Sequence, residues 1–201
     1  MLADPKAELK RLIQMIPLPL ERWGTGPSKP IDLLVKEINE GEAQLGIVRY
    51  VWKVRIRITC KRKKKWLLLV ESKEFKDGHV TVSRTMSSSE KMKQGKGERP
   101  LQCAVRAVAE ELGIKRVPQK SFKPLADGKP EFEVGESKSY PGILNYTRVF
   151  NFAWEMPHRY FKKFYVEQLP HRTSVFSWKD APKRVLQVPR AKKTRKTKEK
   201  P

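Results

Sequence analysis

The order of hydrophobic and polar positions predicts two short helices at the start of the chain. Asp4 and Pro5 are typical of a helix start, and the apolar residues that follow recur every three or four positions until prolines end the repeat. Pro30 and Gly41 delimit a second segment with the same period. The apolar positions are Leu9, Leu12, Ile13 and Ile16 in the first helix and Ile31, Leu34, Val35 and Ile38 in the second. We therefore assign residues 1–43 to an N-terminal helical extension.

From Gln44 the period changes to two, as in a half-buried strand. Apolar side chains occupy the even positions from Trp52 to Cys60, and cations and a threonine occupy the odd ones. A basic run at 61–65 separates this strand from an apolar run that begins at Trp66, which predicts a hairpin with a basic tip.

A turn at 77–78 precedes another expected strand at 79–86, and the polar segment 87–97 is expected to be a loop. A helix with an apolar stripe of Leu101, Val105, Val108 and Leu112 follows and ends at Gly113. Alternating patterns at 146–156 and 174–178 predict the last strands, with a short helix after Asp180. This order of elements indicates an α+β fold in a domain at 44–189.

The charge of the chain points to anionic partners. Lys and Arg number 44 against 22 Asp and Glu, a formal net charge of +22, and such a field attracts polyanions. The tail at 190–201 is basic and has no apolar period, so we expect it to be disordered. Cys60 and Cys103 fall at apolar positions, which indicates reduced thiols in the core of an intracellular protein. No segment is apolar enough to span a membrane, so we expect a soluble protein, with compartment (cytoplasm, nucleus or organelle) and oligomeric state open.

Two groups of basic residues are candidates for binding a polyanion such as RNA, with a solvated loop as the alternative for the second. They are Lys53, Arg55 and Arg57 of the first strand, and Lys61, Arg62, Lys63, Lys64 and Lys65 of the hairpin tip. Aromatic residues near cations could stack on bases, although core packing is the more frequent role: Trp23, Tyr140, Tyr160, Phe161 and Tyr165. His79, His158 and His171 stand singly and indicate turn or surface positions.

The adjacent acids Glu110 and Glu111 stand near the end of the helix that follows the loop. Residues four apart share a helix face, so Arg106 can pair with Glu110, whereas the residue one turn before Glu111 is Ala107. A divalent cation such as Mg²⁺ is then a reasonable partner for the carboxylates, and structural salt bridges are the alternative.

This segment resembles the Nudix box, G-x5-E-x7-R-E-U-x-E-E-x-G-U, in which U is an aliphatic residue. Seven of the nine fixed positions match over 23 residues: Glu98, Arg106, Val108, Glu110, Glu111, Gly113 and Ile114. The resemblance implies a Nudix-like α/β/α sandwich. It also implies that Glu110 and Glu111 are catalytic and bind Mg²⁺ or Mn²⁺, and that Glu98, Arg106 and Gly113 are structural.

Two departures fall where the family's chemistry is expected. Met92 replaces the box glycine, and Ala107 replaces a glutamate that is often a metal ligand in the family. The general base is therefore unassigned, with Glu131, Glu133, Glu136 and Glu155 as remote carboxylates.

The resemblance implies a Mg²⁺-dependent pyrophosphohydrolase that acts on a nucleoside diphosphate linked to another group, or on another highly anionic phosphorylated substrate. The alternative is a catalytically inactive Nudix fold that binds RNA or a ribonucleoprotein through its basic surface. The high charge and the altered box support this second interpretation, whereas the intact pair Glu110 and Glu111 supports the hydrolase, which is the first expectation.

Overall fold

The computed structural model describes residues 5–26, 28–76, 79–82, 88–169 and 172–182. These ranges contain three α-helices and ten strands, besides five short 3-10 turns. The helices are α1 (Pro5–Met15), α2 (Ile31–Asn39) and α3 (Pro100–Leu112). The strands are β1 (Ala43–Leu45), β2 (Arg49–Arg62), β3 (Lys65–Lys76), β4 (His79–Val82), β5 (Ser88–Lys91), β6 (Phe122–Pro124), β7 (Glu131–Glu136), β8 (Leu144–Glu155), β9 (Phe164–Leu169) and β10 (Arg172–Asp180).

The strands form one mixed sheet with the order β6-β8-β2-β3-β10-β9. The long strand β2 runs parallel to β8, while the other pairs are antiparallel. β1 and β5 also pair with β2, β4 with β3, and β7 with β8. A mixed sheet with few helices confirms the α+β class and is consistent with a Nudix-like fold.

The hairpin of β2 and β3 confirms the predicted alternation. Val54, Ile56, Ile58 and Cys60 are all buried at 2% exposure or less and form one face of β2. The chain reverses at Lys63 and Lys64, whose φ angles are 44° and 66°. The basic run therefore forms an exposed tip at the end of two long strands.

Two buried clusters hold the described residues together. The larger lies between α3 and one face of the sheet and includes both cysteines, which are free thiols as predicted. The smaller packs Leu9 of α1 and Leu34 of α2 against Trp23, Tyr140 and Ile143. The two N-terminal helices thus share a core with residues from near the start of β8.

Short strands account for the differences from the sequence-based predictions. Ser88–Lys91 was expected to be loop but pairs with Lys53–Ile56 of β2, and β6, β7 and β9 were not predicted. β5 carries polar side chains, so its strand geometry comes from backbone pairing with β2 and not from an apolar period. The helix expected after Asp180 and the tail at 190–201 lie outside the described residues, as does the end of the strand expected at 79–86. In the described ranges, no helix is long and apolar enough to cross a membrane.

Candidate functional site

Local sequence rules explain where α3 begins and ends. Pro100 occupies the first helical position, where a missing N–H costs no hydrogen bond. The Gln102 side chain accepts a hydrogen bond from the backbone N–H of Arg99 at 2.8 Å. Gly113 follows the last turn with φ of 66°, a left-handed conformation that favours glycine. These ends fix which side of α3 meets the sheet.

Arg106 of α3 binds acidic groups from three segments. Its Nε donates to Glu98 Oε1 at 2.8 Å and its Nη1 to Glu110 Oε2 at 2.9 Å. Its Nη1 also lies 3.5 Å from Glu90 Oε1, and its Nη2 donates to the carbonyl of Lys91 at 2.7 Å. The structure therefore brings the box residues Glu98, Arg106 and Glu110 together around one guanidinium group.

Hydrogen bonds fix Glu98 in the loop before α3. Its Oε2 accepts from the backbone N–H of Lys93 at 2.6 Å and from Arg106 Nη2 at 3.1 Å. Burial alone would raise the pKa of Glu98, but the hydrogen bonds and charges of Arg106 and Lys93 outweigh it and lower the pKa. Glu98 is thus an anion that ties the loop to the helix.

The two adjacent glutamates have different environments. The Glu110 side chain is 49% exposed, whereas Glu111 is 6% exposed and lies on the buried side of α3 with Ala107 and Val108. Neighbouring residues on a helix are about 100° apart, so only one of the pair can point to the same side as Arg106. The structure therefore does not bring Glu110 and Glu111 to one exposed surface.

The two departures from the box are core residues. Ala107 is 0% exposed and Met92 is 1% exposed, and both belong to the cluster between α3 and the sheet. A methyl group and a thioether therefore fill the positions of a box carboxylate and a box glycine.

A cleft of about 1120 Å³ lies between α3, β5 and β9. Seven basic side chains line it: Lys29, Lys91, Lys93, Arg106, Lys162, Lys163 and Arg172. Four acidic side chains also line it: Glu42, Glu90, Glu110 and Glu167. The excess of cations makes this cleft suitable for an anionic ligand.

Sequence reasoning missed Glu167 and Glu90 as carboxylates of the cleft. Glu167 pairs in register with Ser174 of β10, which puts it on the α3 side of the sheet, and it accepts a hydrogen bond from Arg172 at 3.0 Å. Burial raises the pKa of both acids, although Arg172 opposes this effect at Glu167 and Arg106 opposes it at Glu90. No local pattern in β9 identifies Glu167, because the apolar residues Phe164 and Val166 lie on the opposite, exposed face.

The remote carboxylates suggested by the sequence lie elsewhere. Glu131, Glu133 and Glu136 are exposed on β7, and Glu155 is exposed at the end of β8. Glu133 forms an ion pair with Arg55 at 2.7 Å. None of these four is among the described residues that line the cleft.

The donor set does not fit the Mg²⁺ or Mn²⁺ site that the box resemblance implies. Divalent cations of this kind need several oxygen ligands around one point. Arg106 engages both Glu98 and Glu110, Glu111 is buried, and position 107 offers only a methyl group. Within the ranges that the structure describes, no group of three His, Cys, Asp or Glu residues is arranged to hold a metal ion.

The structure separates the two basic groups suggested for polyanion binding. Residues 61–65 are exposed at the hairpin tip, whereas Lys53, Arg55 and Arg57 are half-buried along β2. Burial lowers the pKa of Lys53, and the nearby charges of Lys91, Arg55 and Arg49 add to this shift. The hairpin tip is thus the more accessible of the two groups.

The aromatic residues suggested for base stacking also separate. Trp23, Tyr140 and Tyr165 are buried core residues. Tyr160 and Phe161 are half-buried beside the larger core. Only these two keep partly accessible rings.

Comparisons with known proteins give limited information. No family model and no curated protein matches this chain. Among solved structures, it is similar to a C. elegans Ap4A hydrolase, with 19% identity over 65% of this chain and 80% of that chain and a TM-score of 0.36. It is also similar to the NUDIX domain of Shewanella oneidensis NrtR complexed with ADP ribose, with 11% identity over 64% of this chain and 71% of that chain and a TM-score of 0.37. The T. brucei MERS1 protein in its apo form shares 14% identity over 52% of this chain and 39% of that chain, with a TM-score of 0.30. TM-scores this low carry no argument about function. The functional argument therefore rests on the geometry of the cleft.

Proposed function

We propose that this chain binds a phosphorylated, nucleotide-type anion in the cleft between α3, β5 and β9 without metal-dependent hydrolysis. The observation that carries this proposal is that the acidic residues of the box are engaged or replaced, beside a cleft rich in cations. Arg106 engages Glu98 and Glu110, Ala107 is enclosed in the core, and cations outnumber acids along the cleft.

The cations best placed to bind phosphate are the cleft lysines that form no ion pair with another described residue. Lys162 and Lys163 are exposed, and Lys93 is half-buried. Lysine ammonium groups on flexible stems suit phosphate oxygens in several geometries. The ligand class is therefore an anion with two or more phosphates, either a phosphorylated small molecule or the phosphorylated end of an RNA.

The acids of the cleft reduce its affinity for anions less than their number suggests. Glu110 is neutralised by Arg106, and Arg172 binds Glu167. Because burial raises the pKa of Glu90 and Glu167, protonation of either acid near a bound phosphate costs less than it would in water.

The second candidate is the hydrolase, and one observation favours it. Glu90, Glu110 and Glu167 come from β5, α3 and β9 and line the same cleft. A cation drawn to them would require Glu110 to leave Arg106. The remaining box residues Glu98 and Gly113 would then keep their structural roles.

The test measures binding and turnover on one ligand panel. Dinucleoside polyphosphates, sugar nucleotides, triphosphorylated and capped RNA, and inositol pyrophosphates are titrated by calorimetry in EDTA, and product release is followed with Mg²⁺ or Mn²⁺. We expect binding in EDTA and no release. Lys93→Ala with Lys163→Ala should weaken binding about tenfold, since two charge contacts of about 0.7 kcal/mol each are lost.

The matched control is Lys120→Ala with Lys123→Ala, which removes two exposed lysines outside the cleft. Its affinity should equal that of the wild type. Metal-dependent release that disappears in Glu110→Gln and Glu111→Gln would establish the hydrolase and overturn the proposal.

A further inference from the structure

Aromatic and cationic side chains stack beside the hairpin tip. Arg62 at the end of β2 lies with its Cζ 4.4 Å from the centre of the Phe161 ring. The Phe161 ring stacks on Trp178 of β10 at 5.1 Å and on His158 at 6.0 Å, with an angle of 19° between the planes in both pairs. We call these four residues the hairpin stack. They come from three separate segments, so the fold assembles the stack.

Hydrogen bonds and a ring contact hold the residues around the hairpin stack in place. Trp178 Nε1 donates to the carbonyl of Lys162 at 2.8 Å. Tyr165 packs edge-on against Trp178 at 6.4 Å, and its hydroxyl donates to the carbonyl of Tyr160 at 2.6 Å. The same hydroxyl accepts from the backbone N–H of Lys162 at 3.1 Å. The segment that carries Phe161 is therefore fixed before any ligand arrives.

The outer side of the hairpin stack is accessible and basic. Arg62 and His158 are exposed, and Phe161 and Trp178 are half-buried. Residues 61–65 and 158–163 together contain eight Lys and Arg residues and no Asp or Glu. A ligand that offers both flat rings and negative charge would therefore suit this place.

We propose that the hairpin stack binds single-stranded nucleic acid. Bases of a single strand can stack on exposed aromatic and guanidinium planes, whereas in a duplex their faces are already stacked on one another. The cations of the tip and of residues 158–163 would contact the backbone phosphates. Lys162 and Lys163 follow Phe161 directly and line the cleft, so a strand on the stack would continue towards it.

A second exposed aromatic group lies beside acidic residues and serves as a comparison. Tyr146 contacts Tyr50 at 5.8 Å and Phe132 at 5.6 Å, and Arg148 lies 5.7 Å from the Phe132 ring. This group is also exposed, but its edge strand β7 carries three glutamates in six residues. Negative charge along β7 disfavours a nucleic-acid backbone, so this group supplies the matched control.

The experiment measures the binding of fluorescent single strands to the full chain by anisotropy. The strands are about ten nucleotides long, within the usual site size, and carry a 5′ hydroxyl so that no terminal phosphate occupies the cleft. Three ligands of equal length are compared: a single strand with bases, an abasic single strand and a duplex. We expect the strand with bases to bind about tenfold more tightly than the abasic strand, which corresponds to stacking of a single base.

Phe161→Leu and His158→Ala should each reduce this preference, while Phe132→Leu should leave it unchanged. His158 is exposed, so its replacement tests the stack even if Phe161→Leu disturbs folding. Equal binding of the strand with bases and the abasic strand, or a preference that survives both replacements, would overturn the proposal. Stronger binding of the duplex would also do so. Because the strands lack a terminal phosphate, failure here leaves the cleft proposal untouched, and failure of cleft binding leaves this one untouched.

Discussion

Arg106 determines what the acidic side chains of α3 can do. It binds Glu98 and Glu110 directly, and burial, which lowers the pKa of a guanidinium, is outweighed by these anions so that its pKa is raised. A permanently charged group with two carboxylate partners leaves these oxygens poorly available to a metal ion. These contacts tie the loop before α3 to the helix.

Helical spacing alone places Glu110 one turn beyond Arg106, and the structure contains that ion pair. The burial of Glu111 could not be predicted in the same way, because it depends on which side of α3 packs on the sheet. That side consists of Cys103, Ala104 and Ala107 as well as Val108 and Leu112. Small residues give a weak apolar signal. The buried side of α3 therefore differs from the apolar stripe expected from the sequence.

Position 107 cannot accept the box glutamate without a loss of stability. Ala107→Glu would restore the box glutamate but would place a carboxylate where the native side chain is 0% exposed. We expect the free energy of unfolding to fall by about 3–5 kcal/mol, because the new carboxylate would lose its hydration without gaining a cationic or hydrogen-bonding partner. Urea denaturation measures this loss.

Ala109→Glu is the control, since Ala109 is half-buried on the same helix and its replacement should cost about 1 kcal/mol or less. The outcome to watch for is a recovery of Ala107→Glu stability in millimolar Mg²⁺. Such a recovery would mean that a metal cradle still exists at this position.

Among the elements, the long strands were predictable, whereas most of the short ones, with the exception of β4, were not. β2, β8 and β10 carry sustained alternation that specifies one buried face. β5 has four residues and depends on the edge of β2 that β3 leaves available. The cleft lies between α3, β5 and β9, so two of its three walls come from elements without a strong local pattern.

A close contact between two glycines joins α2 to the loop before α3. The N–H of Gly95 donates to the carbonyl of Gly41 at 3.0 Å, and a Cβ on Gly95 would lie 2.9 Å from the Gly41 Cα. That distance is too short for a methyl group. The path of the loop after β5 therefore requires glycine at this position.

We expect Gly95→Ala to lower the free energy of unfolding by about 1–3 kcal/mol, because two backbone segments must move apart. Thermal and urea denaturation provide the measurement. Gly135→Ala adds the same methyl group on β7, where nothing lies within 4 Å of the new atom, and should change stability by about 0.5 kcal/mol or less. Equal effects of the two replacements would show that the glycine contact is not tight in solution.

At the scale of the whole molecule, Glu37 connects the N-terminal helices to the sheet. This side chain of α2 binds Arg49 of β2, Lys91 of β5 and Lys29, the last at 2.7 Å. Glu37 is 6% exposed, so its charge is compensated inside the protein and not by water. The extension and the sheet should consequently unfold together in one transition.

This network predicts a specific dependence of stability on pH. Burial alone would raise the pKa of Glu37, but the charges of Lys91, Arg49 and Lys29 outweigh it and lower the pKa from 4.5 to about 2. Because the pKa in the folded state lies below that in the unfolded state, the stabilisation is complete above pH 4.5 and is lost as the pH falls towards 2. A shift of this size corresponds to about 3 kcal/mol.

Urea denaturation of the wild type and of Glu37→Gln between pH 6 and pH 2.5 measures this contribution. Glu37→Gln should be less stable at pH 6, and the difference between the two proteins should shrink as the pH falls, because the wild type loses the same charge by protonation. Other acids titrate equally in both proteins, so the difference isolates Glu37. A difference that stays constant down to pH 2.5 would mean that the charge of Glu37 does not hold α2 to the sheet.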